Sequence, residues 1–219
     1  MFAGSSLTDA LKKAGDQLKV KNPGTDHAFN FSSSSTLATQ IINGAPVDVF
    51  ASADEANMQK IVDAKLNDGT PQFFVGNRLQ IAVAAGNPKQ IAGLADLAKP
   101  GLIVVLAVPT VPAGRYALEA LQKAGVTVKP ASQEVDVRAV LNKVALGEAD
   151  AGIVYVTDVK SAAARVAGVD IPEQHQVIAR YPITVMKESK NPRLARAFVD
   201  YLLSDDGQRL FEEFGFSRP

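Results

Sequence analysis

The stretch Phe2-Ala3-Gly4-Ser5-Ser6-Leu7-Thr8-Asp9-Ala10-Leu11 passes from the end of a strand, through a turn of small residues, into a helix. Leu7, Ala10, Leu11, Ala14 and Leu18 fall at helical spacing, and Ser6 with Asp9 three residues on reads as a capping box. Three more small-residue turns open helices in the same way. Ser32-Ser33-Ser34-Ser35-Thr36 precedes Leu37, Ile41 and Ile42. Val111-Pro112-Ala113-Gly114 sets a proline in the first turn of a helix carrying Tyr116, Ala120 and Leu121. Val135-Asp136-Val137-Arg138 opens the amphipathic series Val137, Val140, Leu141 and Val144. A helix start leaves backbone N–H groups unpaired and carries partial positive charge, so several starts brought together form a cage for an anion. These turns contain little Lys or Arg, so the donors are neutral dipoles that select an ion by geometry.

Working outward, strands are expected at Phe29–Phe31, Val47–Phe50, Leu79–Ala85, Leu102–Val108, Ile153–Tyr155 and Tyr181–Met186. Ser52 with Glu55 marks the start of a helix through Met58, Ile61 and Val62. Asn191-Pro192 opens one through Leu194, Phe198, Tyr201 and Leu202, and residues 204 to 214 form the last. Strands alternating with helices give an α/β fold of mainly parallel sheets, in which ligands bind beyond the carboxyl ends of the strands.

Composition removes several functions. The chain has 219 residues, enough for two lobes of about 100 residues each. Lys+Arg and Asp+Glu both total 23, which leaves no electrostatic footprint for nucleic acid or an anionic membrane. The absence of cysteine excludes thiol nucleophiles, Cys-based zinc sites and disulfides. Leu102–Val108, the longest apolar run, falls far short of the roughly 20 residues that span a bilayer. A serine hydrolase using one of Ser32 to Ser35 needs a base, yet the only histidines are His27 and His175, in polar segments, and no Gly-x-Ser-x-Gly elbow occurs. Taken singly, serines before helices are simple N-caps, and a tyrosine ending an apolar strand is a packing residue.

Five runs taken together resemble one family. Phe2-Ala3-Gly4-Ser5-Ser6-Leu7-Thr8, Ser33-Ser34-Ser35-Thr36-Leu37-Ala38, Gly44 through Asp54, Val111-Pro112-Ala113-Gly114-Arg115-Tyr116-Ala117 and Ala151-Gly152-Ile153-Val154-Tyr155, in this order and spacing, resemble the periplasmic molybdate-binding proteins of ABC importers. The likeness extends to Tyr181-Pro182-Ile183 and to Phe211–Phe216.

The resemblance implies a two-lobed type II periplasmic binding fold, each lobe a mainly parallel sheet flanked by helices, with the ligand in the cleft between them. Lobe I is expected at residues 1–79 and 185–219, and lobe II at 80–184. The family holds a tetrahedral dianion through two serines, two helix-start amides and one tyrosine, which fall here on Ser6, Ser34, Ala113, Val137 and Tyr155. Arg115 stays outside the site. The implied ligand is molybdate or tungstate, bound as an oxyanion with no direct bond from protein to metal and no cofactor. A monomeric, non-enzymatic receptor that hands the ion to a permease is expected. The implied location is periplasmic or extracytoplasmic, with or without a lipid anchor, the leader being absent from this sequence. Alternatives are a binder of another tetrahedral oxyanion, sulfate or phosphate, or the sensor domain of a regulator sharing the fold. Molybdate and tungstate are fully deprotonated near neutral pH, so each useful contact is a donor. Hydrogen phosphate would require an acceptor, for which Asp136 and Asp158 are the nearest candidates, Asp136 being expected to cap its helix instead.

Overall fold

The computed structural model describes residues 1–219 and divides into two compact units, Met1–Gly76 with Arg180–Pro219, and Asn77–Ala179. The first unit opens with β1 (Phe2–Gly4), a single 3-10 turn over Ser5–Leu7, and α1 (Thr8–Lys21). Next come β2 (Asn30–Ser32), α2 (Ser34–Ile42), β3 (Val49–Ala51) and α3 (Glu55–Asp63). The long strand β4 (Asn67–Ala84) then carries the chain into the second unit.

The second unit contains β5 (Val104–Ala107), α4 (Pro112–Lys123), β6 (Ser132–Glu134), α5 (Val137–Ala145), β7 (Ala151–Tyr155), α6 (Val156–Ser161) and β8 (Val166–Asp170). Strand β9 (Ile178–Met186) returns the chain to the first unit, which ends with α7 (Pro192–Leu203) and α8 (Asp205–Glu213). No helix is long and apolar enough to cross a membrane.

In the first unit the strands lie in the order β2-β1-β3-β9. The first three are parallel, with Ala3 level with both Phe31 and Ala51, and β9 is antiparallel, with Phe50 opposite Thr184. In the second unit β6, β5 and β7 are parallel neighbours, while β4 runs antiparallel to both β7 and β8. The sheets are thus mixed, and in the second unit parallel and antiparallel pairings are equally represented, a correction to the mainly parallel sheet expected there. The reason is topological. Strands β4 and β9 carry the chain between units rather than through a strand-helix-strand crossover, so neither is bound to run parallel to its neighbours.

Each sheet buries an apolar face. In the first unit Leu37, Ala38, Ile41, Phe50, Met58, Ile61 and Met186 form one cluster, with Phe2, Val47 and Leu66 against it. Phe74 and Phe216 both meet the Phe211 ring edge-on, at 5.4 and 5.5 Å between centroids. In the second unit Val104, Val105, Ile153 and Val154 lie buried on the strands, as do Ala117, Ala120, Val140 and Val144 on α4 and α5.

The crossings fall at Gly76/Asn77 and Ala179/Arg180, earlier than the expected 79/80 and 184/185. Leu79 belongs to the second unit because it pairs with Tyr155 and because the Gln176 side chain amide grips its backbone. Gln176 Oε1 accepts from the Leu79 N–H at 2.9 Å, and Nε2 donates to the Leu79 carbonyl at 3.0 Å. Tyr181 and Pro182 belong to the first unit, since they bond Ser6 and the Ser52 N–H there.

Two expected caps are replaced. Ser6 sits inside the 3-10 turn and does not cap α1, whose N-cap position is Leu7. Asp54, not Ser52, caps α3, accepting the Asn57 N–H at 2.9 Å while Ser52 Oγ donates to its carboxylate.

The start of α4 rests directly on the chain leaving β5. A methyl group added at Gly114 would lie 2.0 Å from the Val108 carbonyl oxygen and 2.5 Å from that of Ala107. Gly114→Ala is therefore expected to push the first turn of α4 off β5 and to lower the unfolding free energy by at least about 1–3 kcal/mol, the usual cost of overpacking, as measured by urea unfolding of the ligand-free chain.

Candidate oxyanion site

In the first unit β2, β1 and β3 are adjacent and parallel, so the turns that follow them share one sheet edge. These turns carry Ser33-Ser34, Ser5-Ser6 and Ser52-Ala53. Strand β9 runs the other way, so its beginning lies at that same edge and brings Tyr181 there. The Ser6 Oγ and Tyr181 Oη atoms are 2.9 Å apart and hydrogen-bonded, both residues being buried. Ser33 caps α2 by accepting the Thr36 N–H, which releases Ser34, the first helical residue, for another role.

Ser34 is 1% exposed, and its Oγ accepts the Ala53 N–H at 2.8 Å. A hydroxyl that takes a backbone proton on one lone pair is oriented to donate its own proton elsewhere. Gly4 makes room for this arrangement, because a Cβ there would stand 3.2 Å from Ser34 Oγ and 3.3 Å from Ala53 Cβ.

The second unit repeats the plan. Strands β6, β5 and β7 are parallel neighbours, and the turns at their carboxyl ends lead to the starts of α5, α4 and α6. Val137 is the first residue of α5, Ala113 the second of α4, and Tyr155 the last of β7, all buried. No side chain caps α4, so its leading amides are not taken up by a side-chain oxygen. Asp136 caps α5 by accepting the Ala139 N–H at 3.0 Å, as its position in the sequence leads one to expect. Arg115 places its guanidinium over the Tyr116 ring, 5.3 Å from the centroid.

Asp158 is fully buried, and both of its oxygens are engaged. Oδ2 accepts the Tyr155 N–H at 3.1 Å, and Oδ1 lies 2.8 Å from Arg138 Nε. Asn77 reinforces the same turn by donating to Thr157 Oγ1 at 2.9 Å. The carboxylate suggested by sequence as an acceptor for a protonated anion is thus occupied by protein donors.

Sequence reading omits Tyr181, Ala53 and the Arg138–Asp158 pair from the site. Tyr181 stands within a run carrying the family likeness, which was the available signal. The other contacts arise only when distant segments meet. His27 packs its ring against Phe198, 5.1 Å between centroids, and burial holds its pKa below the ordinary value. The Ser33 hydroxyl is engaged with Ser35 and Thr36 instead of a base.

Burial pushes the Asp158 carboxyl up to about 6, against the opposite pull of Arg138 and the Tyr155 amide. Between the ordinary value of 3.8 and about 6 the folded chain retains a proton that the unfolded chain has released, so this group's contribution to stability falls as pH rises through that window. Urea unfolding at several pH values should show the wild type losing stability relative to Asp158→Asn across it.

The chain matches the model of the bacterial extracellular solute-binding protein family over residues 1–217. It is 44% identical to the molybdate-binding protein ModA of Mycobacterium tuberculosis over 219 residues, all of this chain and 84% of that protein. Among solved structures, the periplasmic molybdate-binding protein of Azotobacter vinelandii aligns with a TM-score of 0.84 at 22% identity, covering 100% of this chain and 98% of that one. The sulfate-binding protein SubI of Mycobacterium tuberculosis aligns with a TM-score of 0.86 at 18% identity, covering 99% and 85%. These two structures speak for the two-lobed periplasmic binding fold alone. With the family model spanning nearly the whole chain and a relative this similar over all of this chain, the protein belongs to the bacterial extracellular solute-binding protein family.

Proposed function

We propose that this chain is the molybdate receptor of an ABC importer, binding the ion through Ser6, Ser34, the Ala113 amide, the Val137 amide and the Tyr155 phenol. The observation that carries this reading is the chemistry of the assigned groups. Each has a proton to give, and Ser34, the most constrained, has its oxygen already occupied by the Ala53 amide. A fully deprotonated tetrahedral dianion offers only acceptors, so such a lining suits molybdate or tungstate. It suits hydrogen phosphate poorly, since Asp158 and Asp136 already receive protein donors. The 44% identity to ModA over all of this chain supports molybdate over sulfate, a choice the fold leaves open. On this reading the protein is a monomer acting outside the cytoplasm, anchored or free, without cofactor or catalytic activity, and its partner is a permease.

Neutral donors set for the larger ion cannot all close on sulfate, so molybdate and tungstate should raise the melting temperature more than sulfate or phosphate at matched concentration. At about 100 times its dissociation constant, a ligand adds roughly 2.7 kcal/mol of stability. Equal shifts from sulfate and molybdate would overturn the choice of ion.

A hydrogen bond to a charged acceptor contributes about 1.5–3 kcal/mol, so Ser6→Ala and Ser34→Ala should each weaken molybdate binding roughly 10- to 150-fold by calorimetry. Ser35→Ala should have little effect. Tyr155→Phe deletes one donor while keeping the ring, and stopped-flow measurement should show faster release with an almost unchanged melting temperature of the ligand-free chain.

A further inference from the structure

The second unit contains a buried ion pair that the proposed chemistry does not use. Burying a carboxylate is costly, and an ion pair in a protein interior contributes no more to stability than a well-packed apolar pair. A negative charge beside an anion site would also repel the ligand. The contacts of Asp158 account for its presence. One oxygen holds the Tyr155 N–H, at the junction of β7 and α6, and the other holds Arg138 Nε at 2.8 Å, on the residue next to Val137 in the first turn of α5.

The Arg138 guanidinium also donates from Nη1 to Ser161 Oγ at 3.0 Å, and that hydroxyl donates to the Asp158 carbonyl at 2.7 Å, closing a ring of bonds between the two helices. The six residues of α6 are too few to hold their own shape in water, so external bonds fix the turn on which Tyr155 stands. Asp158 has a relative side-chain exposure of 0% and Arg138 of 22%, so the pair is shielded from the screening that weakens surface ion pairs.

We infer that Arg138 and Asp158 are positioning residues that lock the Tyr155 phenol and the Val137 amide into one fixed spacing, and that this rigidity sets the preference for molybdate over the smaller sulfate. The inference rests on the proposed molybdate function. A loosened pair lets Tyr155 and Val137 follow a contracting ion, so loss of the pair erodes discrimination as well as affinity.

The test compares the wild-type chain with Asp158→Asn, Tyr155→Phe and the double variant, measuring ligand-free melting temperature, molybdate release rate and the ratio of molybdate to sulfate affinity. Asp158→Asn is expected to speed molybdate release and to lower the affinity ratio, each by roughly tenfold, and the same substitution should cost markedly less in the Tyr155→Phe background, because residues acting through one contact are not additive. Arg138→Lys keeps the charge while giving up the fork that reaches Ser161 and Asp158 together, and it should show the same loss of discrimination. If Asp158→Asn does not fold, Arg138→Lys carries the comparison. A wild type that binds molybdate, with variants of lowered melting temperature but unchanged release rate and affinity ratio, would overturn the inference and leave the pair a stabilising element. A wild type that does not bind molybdate would overturn the functional reading first, and the inference with it.

Discussion

The bond from the Ala53 amide to the Ser34 hydroxyl gathers the serine-bearing turns of the first unit. It links the turn after β3 to the start of α2, and it requires a residue without a side chain at the end of β1, where Gly4 stands. Three adjacent parallel strands are thereby fastened at their carboxyl ends by a contact that also aims a donor. Ser33 takes the capping duty that would otherwise compete for Ser34. The division of labour between two neighbouring serines leaves the Ser34 hydroxyl free of helix capping and bound to the Ala53 amide.

The second unit reaches the same end with different materials. Its strands β6, β5 and β7 lead to two helix starts and to Tyr155 in place of serine-bearing turns, and an ion pair joins α5 to α6. All the donors proposed for the site are electrically neutral, so on that proposal the attraction toward an anion rests on helix starts and oriented dipoles. Such groups cannot be deprotonated at ordinary pH, so a response to acidity enters through the scaffold, at Asp158.

Where hydrophobic spacing was strong, the sequence was readable. The periodic faces of α1, α5 and α7 appear close to where the pattern of Leu, Val and Phe places them. The first half of β4 was missed because Asn67-Asp68-Gly69-Thr70-Pro71 is polar and rich in turn-forming residues, so no strand pattern shows there. Strand β8 went unread for a similar reason, its exposure alternating along a short and weakly apolar run. The capping assignments at Ser6 and Ser52 failed because each hydroxyl finds a partner other than a first-turn amide, Tyr181 in one case and the Asp54 side chain in the other. The five residues proposed for the site stand in motifs lying within single turns. Tyr181 lies 175 positions from Ser6, and nothing local to either residue announces their meeting.

The double passage between units also orders the birth of the protein. Residues 77–179 form one continuous stretch whose five-stranded sheet is complete before the last forty residues are needed. The other unit has no such independence. Its β3 awaits β9, Phe74 awaits Phe211, and Gly76 exchanges backbone hydrogen bonds with Ser217, almost at the far end of the chain. During synthesis the middle of the chain can settle while its beginning waits with an unpaired strand edge and an uncovered core, the condition in which nascent proteins depend on chaperones. The first unit is therefore complete only when residues 180–219 arrive, and losing the segment around Ser217 would strike the half that was made first.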